Sequence, residues 1–147
     1  MRVSVIGGGT VTGEEYDTAR EVGRLLGERG HSVVCGGLGG VMAAACEGAR
    51  EVGALTVGIL PGEDPTAANE YVEVPVATGL GHARNALVVM NGEAVIAVSG
   101  ESGTLTELGF AAIYDRPAAG LHTHDLPGVE AVETPEEAVA AVERAVR

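Results

Sequence analysis

At 147 residues with 46% hydrophobic content, the chain suits one globular domain, residues 1–147, with a real core. Its formal net charge is −12 and all nine basic residues are arginine, so no lysine is present for a pyridoxal aldimine or for the usual P-loop. The acidity speaks against nonspecific nucleic-acid binding, no apolar run reaches the ~18 residues of a membrane span, and Met1 leads straight into a strand rather than a signal peptide, which makes the cytoplasm the expected compartment.

Residues 2–6 read as a short apolar strand, followed by Gly7-Gly8-Gly9-Thr10. Thr12 to Glu15 reads as the capping box of a helix over 14–29, with Ala19, Val22, Leu25 and Leu26 on one face. A second strand over 31–35 runs into Gly36-Gly37-Leu38-Gly39-Gly40, then a small-residue helix over 40–52 and a third strand over 55–60, ending at Pro61-Gly62. A loop over 62–70 and an extended piece over 71–74 come next, then a helix over 81–90, a strand over 93–98, a helix over 104–114 and a weak strand over 117–121. The last helix starts at Thr134-Pro135-Glu136-Glu137, an N-cap, a proline at the first helical position and a capping-box glutamate in sequence. Cys35 and Cys46 lack metal-ligand spacing and are expected as buried, reduced thiols.

Strands alternating with helices, and strands that are continuously apolar, imply α/β: a doubly wound parallel sheet with helices on both faces. Ligands of such folds sit outside the carboxyl ends of the strands. Three glycine clusters fall at those ends and can converge on one crevice. Gly8, Gly9 and Thr10 would form a backbone floor, and Gly37, Gly39, Gly40 and Met42 would let a ligand approach the second helix closely. The stretch Ser99-Gly100-Glu101-Ser102-Gly103-Thr104 reads as an anion cradle at a helix start, with the amides of Gly100, Ser102, Gly103 and Thr104 aimed at phosphate.

Arg84 lies early in a helix, where the dipole disfavours a cation, so an anionic ligand or Glu107 should compensate it, with Asn85 alongside. Glu107 has two readings. It either closes a capping box with Thr104 or stands as a free carboxylate beside a bound ribose. His82 adjoins Arg84, and His122-Thr123-His124-Asp125 reads as a polar loop without a third ligand, so no metal site is expected.

Gly36-Gly37-Leu38-Gly39-Gly40-Val41-Met42, Val57-Gly58-Ile59-Leu60-Pro61, Ala83-Arg84-Asn85 and the stretch from Ser99 to Glu107 resemble, in order, the motifs of the LONELY GUY and molybdenum-cofactor-carrier-like superfamily, over nearly the whole chain. The resemblance implies a modified Rossmann fold and assembly into homodimers or larger homo-oligomers. In the phosphoribohydrolase branch, which frees a cytokinin base from its riboside 5′-monophosphate, the hallmark is PGGxGTxxE with an upstream arginine. Arg84, Gly100, Gly103, Thr104 and Glu107 match it, which makes Arg84 and Glu107 the candidate catalytic pair. Ser99 in place of proline, Glu101 in place of the second glycine and Asn85 in place of lysine look more like the compact carrier branch. The implied function is binding of a phosphate-bearing ligand, either a molybdenum cofactor or a nucleoside monophosphate. Nucleotide hydrolysis and a non-catalytic oligomeric module with a vestigial pocket are the alternatives. Members are often labelled lysine decarboxylases, but no pyridoxal phosphate is expected here.

Overall fold

Short β-rich runs set between helices with amphipathic or small-residue faces build one all-parallel sheet in the computed structural model, which describes residues 1–147. In chain order the elements are β1 (Arg2–Gly7), α1 (Gly13–Glu28), β2 (Ser32–Cys35), α2 (Val41–Glu51), β3 (Thr56–Leu60), β4 (Val74–Ala77), α3 (Asn85–Met90), β5 (Ala94–Val98), α4 (Ser102–Ile113), β6 (Ala118–Leu121), β7 (Val129–Val132) and α5 (Pro135–Val146). The sheet order is β4-β3-β2-β1-β5-β6-β7, and every neighbouring pair is parallel. The expected α/β class is the observed one.

Side chains alternate across the sheet as the period of two requires. Val3, Val5, Val33, Ile96 and Val98 face α1, α2 and α5, while Ile6, Val34, Val95 and Ala97 face α3 and α4. On that second face the Ser4 hydroxyl donates to the Val88 carbonyl at 2.6 Å, which satisfies a buried polar group and ties β1 to α3.

The helix α1 starts on the expected capping box: the Glu15 N–H donates to Thr12 Oγ1 at 3.1 Å, and the Thr12 N–H donates to Glu15 Oε1 at 2.9 Å. Farther along, it crosses α2 so closely that a Cβ on Gly23 would lie 1.9 Å from the Ala45 carbonyl oxygen. A Cβ on Gly48 would lie 1.9 Å from that of Arg20. The small residues of α2 therefore seat another helix. The cap of α5 differs by one residue from expectation: Thr134 accepts from Glu137, but the Glu137 carboxylate accepts from the Glu133 N–H at 2.8 Å.

Four boundaries depart from the sequence pattern, each for a local reason. The extended piece expected at 71–74 becomes β4 three residues later. Asn69 holds the chain in a turn by accepting from the Tyr71 N–H at 3.0 Å, and the edge strand is exposed throughout, so no apolar run announces it. The helix expected over 81–90 is a tight 3₁₀ turn, Gly81–Arg84, followed by the six-residue α3. The helix expected from Thr104 begins at Ser102 instead, with Glu101 as its N-cap. The weak strand near 117–121 is the fully buried β6, and β7 follows it as a seventh strand with half its residues exposed, which its mixed composition did not announce.

Candidate functional site

From β1 the chain builds outward through β2, β3 and β4, then returns across β1 to lay β5 on its other side. That reversal opens a crevice between the loops leaving β1 and β5, where open α/β sheets take their ligands. A cleft of about 530 Å³ lies there. Gly8, Gly9 and Thr10 line it from the β1 loop, Met42 from α2, Arg84 and Asn85 from the turn into α3, and Gly100, Gly103, Thr104 and Glu107 from the β5 loop and α4.

The structure places the other four candidates elsewhere. Gly37 turns at φ +80° against Leu60, where a Cβ would lie only 2.7 Å from Leu60 Cδ2. Gly40, at φ +63°, has no room for a Cβ because the Gly8 oxygen would lie 2.2 Å away, and the next N–H, that of Val41, donates to that oxygen at 3.0 Å. Gly39 backs onto the Gly9 carbonyl, and Ser102 is exposed at the start of α4. The second glycine cluster thus supports the first from behind, and of its glycines only Gly36 lines the cleft.

The β5 loop is built to expose amides. Ser99 is left-handed at φ 54° although it carries a Cβ, a conformation that costs on the order of 1–3 kcal/mol unless its surroundings enforce it. They do: its N–H donates to the Leu121 carbonyl at 2.9 Å, and its carbonyl accepts from the Thr123 hydroxyl at 2.7 Å. Gly100 follows at φ 104° and leaves no space for a Cβ beside Thr104. Within α4 the first N–H with a protein acceptor is that of Leu105, bonded to the Glu101 carbonyl at 3.0 Å, so those of Ser102, Gly103 and Thr104 remain without one. The N–H groups of Gly8, Gly9 and Thr10 have none either.

Arg84 is buried, at 8% exposure, in the lining of the same cleft. Its Nε–H donates to the Ile59 carbonyl at 2.8 Å, Nη2 to the Gly36 carbonyl at 3.4 Å, and Nη1 to Asn85 Oδ1. A guanidinium has five N–H donors, so one remains on each Nη. Asn85 then donates through Nδ2 to Thr106 Oγ1 at 3.1 Å, and the Thr106 hydroxyl donates to the Gly103 carbonyl at 2.6 Å. This chain joins the ends of β2 and β3 to the cradle of α4. An asparagine is suited to its middle because it accepts and donates at once; a lysine there has no acceptor for Arg84.

Glu107 is the other buried charge, at 8% exposure, and it makes no hydrogen bond. The capping-box reading fails because Thr104 is already the third residue of the helix. Burial pushes the Glu107 carboxyl up to about 7, against the pull of the Arg84 guanidinium. The same burial draws Arg84 down, with Glu107 opposing it.

Two carboxylates of the cleft, Glu15 and Glu101, were not among the sequence candidates. Glu15 sits with Ser99, held below its ordinary carboxylate value first by the Ser99 hydroxyl and then by Thr12. Its role as a capping residue was legible, but its place at the cleft depends on where α1 packs. His82 lines the cleft as well. His124 turns away to Glu101, its Nε2 lying 2.9 Å from the backbone oxygen, and no group of three or more metal-ligating side chains is present.

Sheet order and cleft position define a Rossmann-like α/β protein with its crevice at the carboxyl ends of β1 and β5. Within that class the chain belongs to the SLOG cluster4 family, whose model matches residues 1–146. It is 41% identical over 140 residues to an uncharacterized protein of Archaeoglobus fulgidus, covering 95% of this chain and 92% of that one. Among solved structures, the molybdenum cofactor binding protein of the phototrophic bacterium Rippkaea orientalis superposes with a TM-score of 0.93 at 29% identity, over 99% of this chain and 97% of that one. The molybdenum cofactor carrier protein of Chlamydomonas reinhardtii superposes with a TM-score of 0.89 at 29% identity, over 97% and 96%. No helix is long and apolar enough to cross a membrane.

Proposed function

We propose that this protein binds a small phosphate-bearing ligand in the cleft and carries a molybdenum cofactor as its cargo. The observation behind this reading is the set of unpartnered amides of Gly8, Gly9, Thr10, Gly103 and Thr104, residues that line one cleft together with Arg84 and its two remaining N–H groups. Amides at a helix start favour a phosphate monoester, and charge-assisted bonds from a guanidinium add about 1.5–3 kcal/mol each. Three carboxyls of the cleft, Glu15, Glu101 and Glu107, offer acceptors for the N–H groups of a heterocycle, and no Phe, Tyr or Trp lines the cleft for stacking. Calorimetry with molybdenum cofactor released from a molybdoenzyme, beside AMP and GMP, tests the reading. Saturable binding of the cofactor, weakened at least tenfold in Arg84→Ala, is the expected result. Heats of dilution alone for all three ligands would leave a vestigial pocket.

Glu107 favours a second reading, nucleoside 5′-monophosphate hydrolysis. In its ionised form, a carboxyl with no structural partner at this cleft is suited to stabilising positive charge that develops on a ribose as its N-glycosidic bond breaks, and its raised value of about 7 makes that activity rise with pH through neutrality. Chromatography of AMP and a cytokinin riboside monophosphate after incubation would show the free base, and Glu107→Gln would abolish its release.

The same reading includes a homo-oligomer. The helix α4 carries one charged residue, Glu107, and that is buried; Leu105, Ala112 and Ile113 lie exposed on its outer side, and Met90 at the end of the neighbouring α3 is exposed too. A helix apolar on both sides belongs in an interface. In a chain of net charge −12, this uncharged face is where two copies meet without opposing like charges. The small-residue α2 is not available for such a contact, because α1 covers it. Light scattering should show an oligomer that Ile113→Glu dissociates.

A further inference from the structure

Two sulfur atoms lie behind the cleft. Cys35 ends β2 and Cys46 sits on the inner side of α2, both without solvent exposure, with their Sγ atoms 3.5 Å apart. They are separate thiols. A single buried cysteine is most often a small apolar side chain, but this pair differs in three respects. The sulfurs are in contact. They are unequal: the Cys46 S–H and the Gly37 N–H, the latter at 3.3 Å, both stabilise a thiolate on Cys35, and Arg84 adds to them. The Cys35 thiol is accordingly drawn below its ordinary value despite its burial, while Cys46 is pushed up. Lastly, Cys35 adjoins Gly36, which lines the cleft and whose carbonyl accepts from Arg84.

We propose that Cys35 and Cys46 are a redox-responsive dithiol which a peroxide closes to an intramolecular disulfide, and that closure reshapes the loop 36–40 that backs the cleft. The Cys35 thiolate attacks one oxygen of the peroxide, an S–O bond forms and the O–O bond breaks. The departing hydroxide takes up a proton as water, leaving a sulfenic acid on Cys35. Cys46 then attacks that sulfur as its own proton leaves; the S–S bond forms, the S–O bond breaks, and hydroxide departs with that proton as a second water. Two thiols and one hydrogen peroxide thus give one disulfide and two waters, the sulfurs losing two electrons that the peroxide gains.

The geometry gives this chemistry a mechanical result. A disulfide bond is about 2.05 Å long, so the sulfurs must close by roughly 1.5 Å. The loop between them has little slack: Gly37 is wedged against Leu60, and Gly40 against the carbonyl of Gly8. The Gly37 N–H loses its thiolate acceptor, and the shift passes through Gly36 to the carbonyl that holds Arg84. Since both sulfurs are sealed, oxidation needs the loop to open and is slower than at an exposed thiol.

The test uses the reduced full-length chain and hydrogen peroxide. Intact mass should fall by two hydrogens without forming a covalent dimer, and peptide mapping should join the segments holding Cys35 and Cys46. Amide hydrogen exchange should quicken across residues 36–41, and a dithiol reductant should reverse all three changes. In Cys46→Ala, dimedone should trap a sulfenic acid on Cys35. The proposal fails if oxidation adds oxygen to one cysteine of the wild type without joining the pair, or if both thiols stay free at peroxide levels that oxidise the unfolded chain. It also fails if the disulfide forms and exchange at 36–41 is unchanged. None of these readouts involves a ligand, so they stand or fall apart from the carrier reading.

Discussion

The β2–α2 loop, with four glycines, and the β5–α4 junction, with Gly100 before the helix and Gly103 in its first turn, both carry glycine to the start of a helix, yet they do different work. Between β5 and α4, Ser99 and Gly100 curl the chain so that three successive amides are left without acceptors. Between β2 and α2, the glycines admit Leu60 on one side and the carbonyls of Gly8 and Gly9 on the other. Glycine content therefore does not identify a ligand loop. What distinguishes the two is what the glycines themselves meet: Gly37 and Gly40 are wedged against Leu60 and the Gly8 carbonyl, whereas Gly100 and Gly103 line the cleft.

Substitution on the packing side should give the largest effect. Gly40→Ala puts a Cβ against the Gly8 carbonyl at a left-handed φ, and strain and overpacking together should cost about 3–5 kcal/mol, read as a fall of roughly 6–20 °C in thermal midpoint. A midpoint within a few degrees of wild type would show that the two loops are not rigidly coupled. On the cradle side, a Cβ on Gly103 would meet no atom nearer than Asn85 Nδ2 at 3.9 Å, so Gly103→Ala should keep the fold, with a gain of up to about 1 kcal/mol from helix propensity, while its methyl intrudes on the cleft and should weaken binding of the proposed phosphate-bearing ligand. Equal loss of stability in the two variants would erase the distinction.

Glu107 lies between these in size. Its folded pKa of about 7 stands above the ordinary 4.5, so the folded state holds more protons than the unfolded state between those values. The stability associated with the neutral carboxyl is fully present below the lower value and is lost as pH rises through the upper one. Glu107→Gln should therefore match wild type near pH ~4 and exceed it by about 3 kcal/mol near pH ~9, a difference denaturant titration resolves. A smaller effect, about 1 kcal/mol, is expected for Thr12→Ala, which opens the α1 capping box and frees Glu15 at the cleft.

Most of the framework was legible in the sequence because buried parallel strands are apolar runs and the helices carry caps and stripes. β4 and β7 lie at the sheet edges, where exposed residues such as Pro75 and Glu130 interrupt the pattern that marks a strand. The candidates that do line the cleft, from Gly8 through Arg84 to Glu107, share no single local signal; they come from segments far apart in sequence, and it is the topology that brings them together. The dual role of Glu15 and the Arg84–Asn85–Thr106–Gly103 chain required the structure, since both depend on packing between separate elements.

The central place of β1 also orders the events of folding. Val33 reaches Val3 after a single helical crossover, whereas Ala94 pairs with Val3 only after β2, β3, β4 and α3 have been traversed. Closing that long loop costs conformational entropy that no local contact offsets, so docking of β5 on β1 is expected to come late and to limit the rate. Since the cleft lies between those two strands, it is absent from any species that lacks this pairing. A ligand held there would draw the chain toward the completed sheet, and recovery of binding during refolding would time the arrival of its C-terminal half.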